Sequence, residues 1–171
     1  MNYILPILLL AALPTLAQRV SVRPYMPVNP RLAILEKDNG FRDARFGADT
    51  LIFNDLNFET QIEDLGKVTR IYHRDHDNKL LGIAAATEIS YYFEDGKLNT
   101  IIIKFTGKEN GKAAFNYLYS RYGAGSKREH SSLGDYWWST EHVLLSYGVD
   151  RTNNETEVSF SYKKGSPKAG R

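Results

Sequence analysis

Apolar residues recur along this chain in two rhythms, every second residue or every third to fourth, and the rhythms divide it into strands and helices. Alternation dominates. Residues 41–46 alternate apolar with charged side chains and end at Gly47, and residues 68–73 are rich in β-branched and aromatic types. The strongest local signal lies at 88–105, where two alternating runs flank Asp95-Gly96. A type I′ turn needs positive φ at both central residues, which Asp-Gly tolerates, so the segment predicts a β-hairpin. Ile89, Tyr91 and Phe93 then share a face with Ile101, Ile103 and Phe105 of the neighbouring strand. Over 110–122 the period changes. Ala114, Phe115, Leu118 and Tyr122 form a helical stripe that Gly123 terminates. Burying Phe115 and Leu118 is worth about 1.5–3 kcal/mol each, enough to dock a short helix on a sheet. Strands resume at 136–140, 142–147 and 156–162, with Val143, Leu145 and Tyr147 on one face and Val158, Phe160 and Tyr162 on one face.

The resulting order is a short helix or turn at 49–56, three strands, a long helix and three more strands. It predicts an α+β fold, an antiparallel sheet of two αβββ-like halves with helices packed on one face. The first half ends near Gly107. This single domain is expected to span residues 31–164. A Pro-rich leader, 18–30, precedes it with Pro24, Pro27 and Pro30, and a frayed tail, 165–171, follows with Gly165, Pro167 and Gly170.

Residues 1–17 read as a signal peptide. The stretch from Ile4 to Leu16 is almost wholly apolar, and Thr15 and Ala17 place small residues at −3 and −1 of a cut before Gln18. The run is too short for an uninterrupted span of about 20 apolar residues, and it carries Pro6 and Pro14. No second long apolar run follows, so no membrane span is expected after cleavage. The chain has no Cys, which removes both a lipid anchor and any disulfide. Small extracellular animal domains usually depend on such bridges, so the combination points to a bacterial periplasmic or secreted protein. The 22 basic and 20 acidic residues nearly cancel and are interspersed, without the concentrated positive face that nucleic acid requires.

The strings NGFRDARFG at 39–47, ISYYFEDGKLNTIIIKFTG at 89–107 and YLYSRYG at 117–123 occur together with Asn110, Tyr136-Trp137-Trp138 and Leu145-Ser146-Tyr147. Over about residues 39–162 this set resembles small uncharacterised exported proteins of Bacteroidetes-like bacteria, which open on a GF-x-D-x-x-FG strand. The resemblance implies an exported compartment and this fold, and no activity. The tandem αβββ order is also similar, in topology alone, to the beta-lactamase inhibitor protein, and topology transfers no function.

Metal-capable side chains are dense only in HRDHDN, with His73, Asp75, His76 and Asp77. Imidazole with carboxylate suits zinc, but neighbours at a strand end alternate in direction and no remote ligand is signalled. Asp75 and Asp77 also lack the Gly and Glu of an EF-hand loop. His130 and His142 have no supporting spacing. Ser131 and Ser132 follow His130, yet adjacency is not a triad, and no G-x-S-x-G elbow occurs. Gly123-Ala124-Gly125 neither follows a strand nor opens a helix, so it is a helix stop and no dinucleotide cradle. No cofactor is indicated.

Most of the 11 Tyr, 8 Phe and 2 Trp fall at core positions. Tyr92, Ile102 and Leu144 point the other way, among Ser90, Thr100, Lys104, Ser146, Ser159 and Ser161, and one of Trp137 and Trp138 must join them because strand neighbours alternate. With helices on one side only, the sheet offers an open face of aromatic, aliphatic and small polar residues, and binding surfaces are enriched in Tyr and Trp. The sequence therefore predicts an exported, non-enzymatic binding module of the bacterial envelope or exterior, with a protein or peptide partner on Tyr92, Ile102, Trp137, Trp138 and Leu144. Its alternatives are a metal-dependent enzyme using His73, Asp75, His76 and Asp77, and a small-ligand carrier with a pocket between helix and sheet.

Overall fold

The computed structural model describes residues 29–127 and 135–164. The expected signal peptide, most of the leader, the tail and the segment with His130, Ser131 and Ser132 lie outside the described residues. In chain order the elements are α1 (Leu32–Asp38), β1 (Gly40–Phe41), β2 (Ala44–Arg45), a 3-10 turn (Thr50–Ile52), β3 (Leu56–Asp64), β4 (Lys67–Arg74), β5 (Leu80–Leu81), β6 (Ala84–Ala85), β7 (Glu88–Glu94), β8 (Lys97–Thr106), α2 (Lys108–Tyr122), β9 (Ser126–Lys127), β10 (Tyr136–Ser139), β11 (Val143–Asp150) and β12 (Glu155–Tyr162). Eight strands form one antiparallel sheet in the order β3-β4-β7-β8-β12-β11-β10-β9. The domain is α+β with a sheet-dominated core.

The Asp95-Gly96 hairpin forms as its turn chemistry requires, with φ of 53° and 76°. Tyr91 faces Ile101 and Ile89 faces Ile103 across β7 and β8. On the far side of β8, Ile103 meets Val158 and Ile101 meets Phe160 of β12. These residues are 0–4 % exposed, and they share one core with Leu35 of α1 and Ala114, Leu118 and Tyr122 of α2. One sheet face is thus covered by both helices and by the small hairpins β1–β2 and β5–β6. Gly111 lets α2 approach β12, since a Cβ there would lie 2.3 Å from Thr156 Oγ1. Gly123 ends α2 at φ 77°, its N–H bonded to Tyr119 O at 2.8 Å.

Two segments differ from the sequence expectation. Residues 41–46 are not one strand but the tight hairpin β1–β2, which seats Phe41, Ala44 and Phe46 in the core. It depends on Gly40 at φ 145°, where a Cβ would stand 2.1 Å from Ala44 O, a clash with backbone that cannot yield. The NGFRDARFG string is therefore a structural plug.

The expected helix or turn at 49–56 is reduced to the 3-10 turn, and a nine-residue strand, β3, follows it unannounced. All of β3 after Leu56 is exposed, so no buried face writes an alternation into its sequence. Its turn to β4 places Leu65 at φ 49° before Gly66, where Asn or Asp would be the recognisable signal.

Arg74 pins the plug to β4. Its Nη1 donates to both Asp43 carboxylate oxygens at 2.9 Å and its Nε to Asp55 Oδ2 at 2.9 Å, while its guanidinium lies 5.5 Å from the Phe53 ring centre. The Arg74 hydrogen bonds hold the Asp43 carboxyl below its ordinary value.

Candidate functional site

The face of the sheet opposite the helices carries residues that belong to no core cluster, and strand register arranges them in lines. Ser90, Ile102, Ser159, Ser146 and Trp137 lie opposite one another across β7, β8, β12, β11 and β10. Tyr92, Thr100, Ser161, Leu144 and Ser139 form the adjacent line. With strands about 4.8 Å apart, each line is about 19 Å long. Tyr92, Ile102, Trp137 and Leu144 are all half-buried; short hydroxyl side chains stand between them, Ser90 is itself buried, and on β4 the buried Ile71 stands opposite Tyr92. Thr100 Oγ1 lies 3.3 Å from Ser161 Oγ, and Ser161 Oγ 3.3 Å from Ser159 Oγ. Small side chains of low rotamer freedom leave little entropy to lose when a partner covers them.

Trp138 does not belong to this face. The sequence named both tryptophans, and alternation along β10 turns Trp138 into the core at 1 % exposure. Its Nε1 donates to Gly123 O at 2.8 Å, and a Cβ on Gly125 would stand 2.8 Å from its ring. The Gly123-Ala124-Gly125 segment is thus both the stop of α2 and the seat of this indole.

A polar margin bounds the open face. Lys104 Nζ pairs with Glu88 Oε1 at 3.2 Å, Ser90 Oγ donates to the same oxygen at 2.7 Å, and Glu157 stands opposite Lys104 on β12. His73 sits at the β4 end of this margin, with Nε2 2.8 Å from Glu59 Oε2 and Nδ1 2.9 Å from Ile89 O. Burial raises the Tyr92 phenol above its ordinary value; Lys104 opposes that rise, and Glu157, Glu88 and Glu59 reinforce it. Tyr92 therefore presents a neutral hydroxyl, able to donate, at physiological pH. The sequence reading missed this margin. The alternation of β4, which puts Ile71 and His73 on one face, was the signal available for it.

The four residues of the metal alternative are not brought together. His73 faces the open side with both ring nitrogens engaged. Asp75 accepts from Asn57 Nδ2, and His76 is exposed. Asp77 turns toward the covered side, where it accepts from the Tyr91 hydroxyl at 2.5 Å and from Arg42 Nη1 at 3.2 Å. Burial, then the hydrogen bond to Asp77, pushes the Tyr91 phenol far up, so it remains a donor. Among the described residues no group of three or more His, Asp or Glu side chains could hold a metal ion. His142 pairs instead with Glu36 of α1.

Fold and site together define a sheet-dominated α+β domain with one face covered and the other presenting ordered lines of aromatic, aliphatic and hydroxyl side chains. Among the described residues no helix is long and apolar enough to cross a membrane. No protein-family model, curated protein or solved structure matches the chain.

Proposed function

We propose that this chain is an exported, non-enzymatic binding module of the bacterial envelope or exterior that engages a protein or peptide through its open sheet face. Tyr92, Ile102, Trp137 and Leu144 are the contact residues. The observation that carries the reading is the register of that face, which sets four large side chains in two lines of serine and threonine. Tyr and Trp anchors surrounded by small groups that exclude water are the composition of binding hot spots. The breadth of the lines, about four strand spacings, suits a macromolecular surface better than a small molecule. The signal-peptide-like pattern of residues 1–17 supports the compartment. In this reading β4–β7–β8 and β10–β11–β12 are the strands of two αβββ halves that meet at the β8–β12 pair, with β3 added at the edge.

The test is a crosslinking pull-down from envelope and culture-supernatant fractions, using the chain from Gln18 tagged at its C-terminus. Wild type and a Tyr92→Ser, Leu144→Ser variant are compared side by side. A stoichiometric protein held by wild type and lost by the variant, with thermal unfolding unchanged, supports the proposal. A partner retained equally by both, or a blank from folded wild-type bait, rejects the site.

A further inference from the structure

A second site lies on the covered side of the sheet, where the N-terminal half of α2 leaves a corner of β10–β12 bare. The cleft there has a volume of about 400 Å³, within the range of pockets that hold small ligands. Its floor is aromatic. The Phe115 ring centre is 4.7 Å from that of Tyr136 and 5.2 Å from that of Tyr147, and Val149 beside them is 37 % exposed. The Tyr147 hydroxyl is already committed to Gly111 O at 3.2 Å, so the floor turns ring surface, not hydroxyl, toward the cleft at that point.

Its walls are cationic. Lys108 and Lys112 come from α2, Lys127 from β9 and Arg151 from the turn between β11 and β12. Of all lysines and arginines among the described residues, only these four and Lys37 make neither an ion pair nor a side-chain hydrogen bond to another described residue. Among the described residues every other lysine and arginine except Lys37 is paired or tethered, and the four at this cleft converge on one hollow. Asp135 is the single aspartate lining the cleft, and its Oδ2 accepts from Val149 N at 3.2 Å. Four like charges around one cleft repel one another in the empty state, and an anion relieves that repulsion.

We infer that this cleft binds a small organic anion, a flat apolar body carrying a carboxylate, sulfonate or phosphate. The apolar part lies on Phe115, Tyr136 and Tyr147, and the charged group sits among Lys108, Lys112, Lys127 and Arg151. Arg suits planar oxyanions and Lys acts as a point charge, so the mixture selects for charge and flatness over one exact head group. The site is independent of the open face and does not rest on the protein-binding proposal.

The experiment is a two-dimensional amide NMR titration of the folded chain with naphthalene-2-sulfonate, and in parallel with the uncharged naphthalene-2-sulfonamide, each to about 5 mM, a range that detects millimolar affinity. The expected result is saturable shifts at Lys112, Tyr136, Tyr147 and Val149 with the anion, and at least about tenfold weaker binding of the amide, a difference of about 1.4 kcal/mol. Lys112→Glu with Arg151→Glu should abolish the shifts while the spectrum stays dispersed, Lys112→Arg with Arg151→Lys should restore them, and Tyr92→Ser with Leu144→Ser should leave them unchanged. Equal binding of the neutral compound, shifts centred elsewhere, or no shifts at the highest concentration would overturn the inference.

Discussion

The two faces of the eight-stranded sheet are made by the same strands, and β10 shows how differently they are used. Trp137 and Trp138 are consecutive, yet one stands half-buried in a line of serines and the other is 1 % exposed against Gly125 with its indole N–H satisfied. The covered face is built from large side chains packed to exclude water. The open face separates its large side chains with hydroxyls across β8, β12 and β11, and only at its β4 side does a buried aliphatic residue, Ile71, stand opposite Tyr92. Packing energy resides in the first and contact chemistry in the second, so substitutions on the two faces should fail in different ways.

The largest effect is expected at Trp138. Trp138→Ala removes a fully buried indole and leaves Gly123 O without its donor, so denaturant unfolding should register a loss of about 3–5 kcal/mol. A loss below about 1 kcal/mol would mean that this side chain does not anchor the core.

Next comes the helix-to-sheet contact. Gly111→Ala puts a methyl where Thr156 Oγ1 already sits, 2.3 Å away, and overpacking of this kind costs about 1–3 kcal/mol. Thr156→Ala removes the obstructing hydroxyl, so the double variant should recover most of the loss. Strict additivity in that cycle would show that the two residues do not meet.

A smaller effect tests how the cover is tied down at its rim. His142, stacked on Tyr162 at an interplanar angle of 9°, pairs with Glu36 of α1. The Glu36 hydrogen bond raises the His142 imidazole above 6.5. A group raised on folding stabilises below its unfolded value, and that stabilisation fades as pH rises through the folded value. Glu36 is held below 4.5: its burial acts upward, but hydrogen bonds from Thr140 and His142 outweigh it. The pair therefore contributes between the two ordinary values and weakens on either side. NMR titration of the His142 ring should give a midpoint above 6.5 that falls in Glu36→Gln; an unmoved midpoint would deny the contact.

Legibility in the sequence followed burial. The β7–β8 hairpin was readable because Ile89, Tyr91 and Phe93 alternate with polar residues around an Asp-Gly turn, and α2 because its stripe ends at a glycine. β3 was not, because an exposed edge strand imposes no period and Leu65 disguises its turn. Residues 41–46 read as one strand because their alternation does not reveal that Arg42, and Gly40 just before them, take positive φ. On the open face, Tyr92, Ile102 and Leu144 followed from simple alternation, while the choice between Trp137 and Trp138 needed the register of β10 against β11. The cationic cleft was invisible because Lys108, Lys112, Lys127 and Arg151 come from separate elements and meet only in the tertiary structure.

The smallest stability effect is expected at Trp137, and it completes the comparison. Trp137→Ser extends the serine line by one more hydroxyl and removes the cross-strand pairs opposite Ser146 and Ser126, which are worth about 0.2–1 kcal/mol each. The same change takes away the largest apolar surface on the open face. Thermal unfolding should thus be nearly unmoved while capture of a partner through this face falls sharply. If Trp137→Ser instead destabilised the fold as much as Trp138→Ala, both tryptophans would be packing residues, and the distinction between a covered face that folds and an open face that binds would collapse.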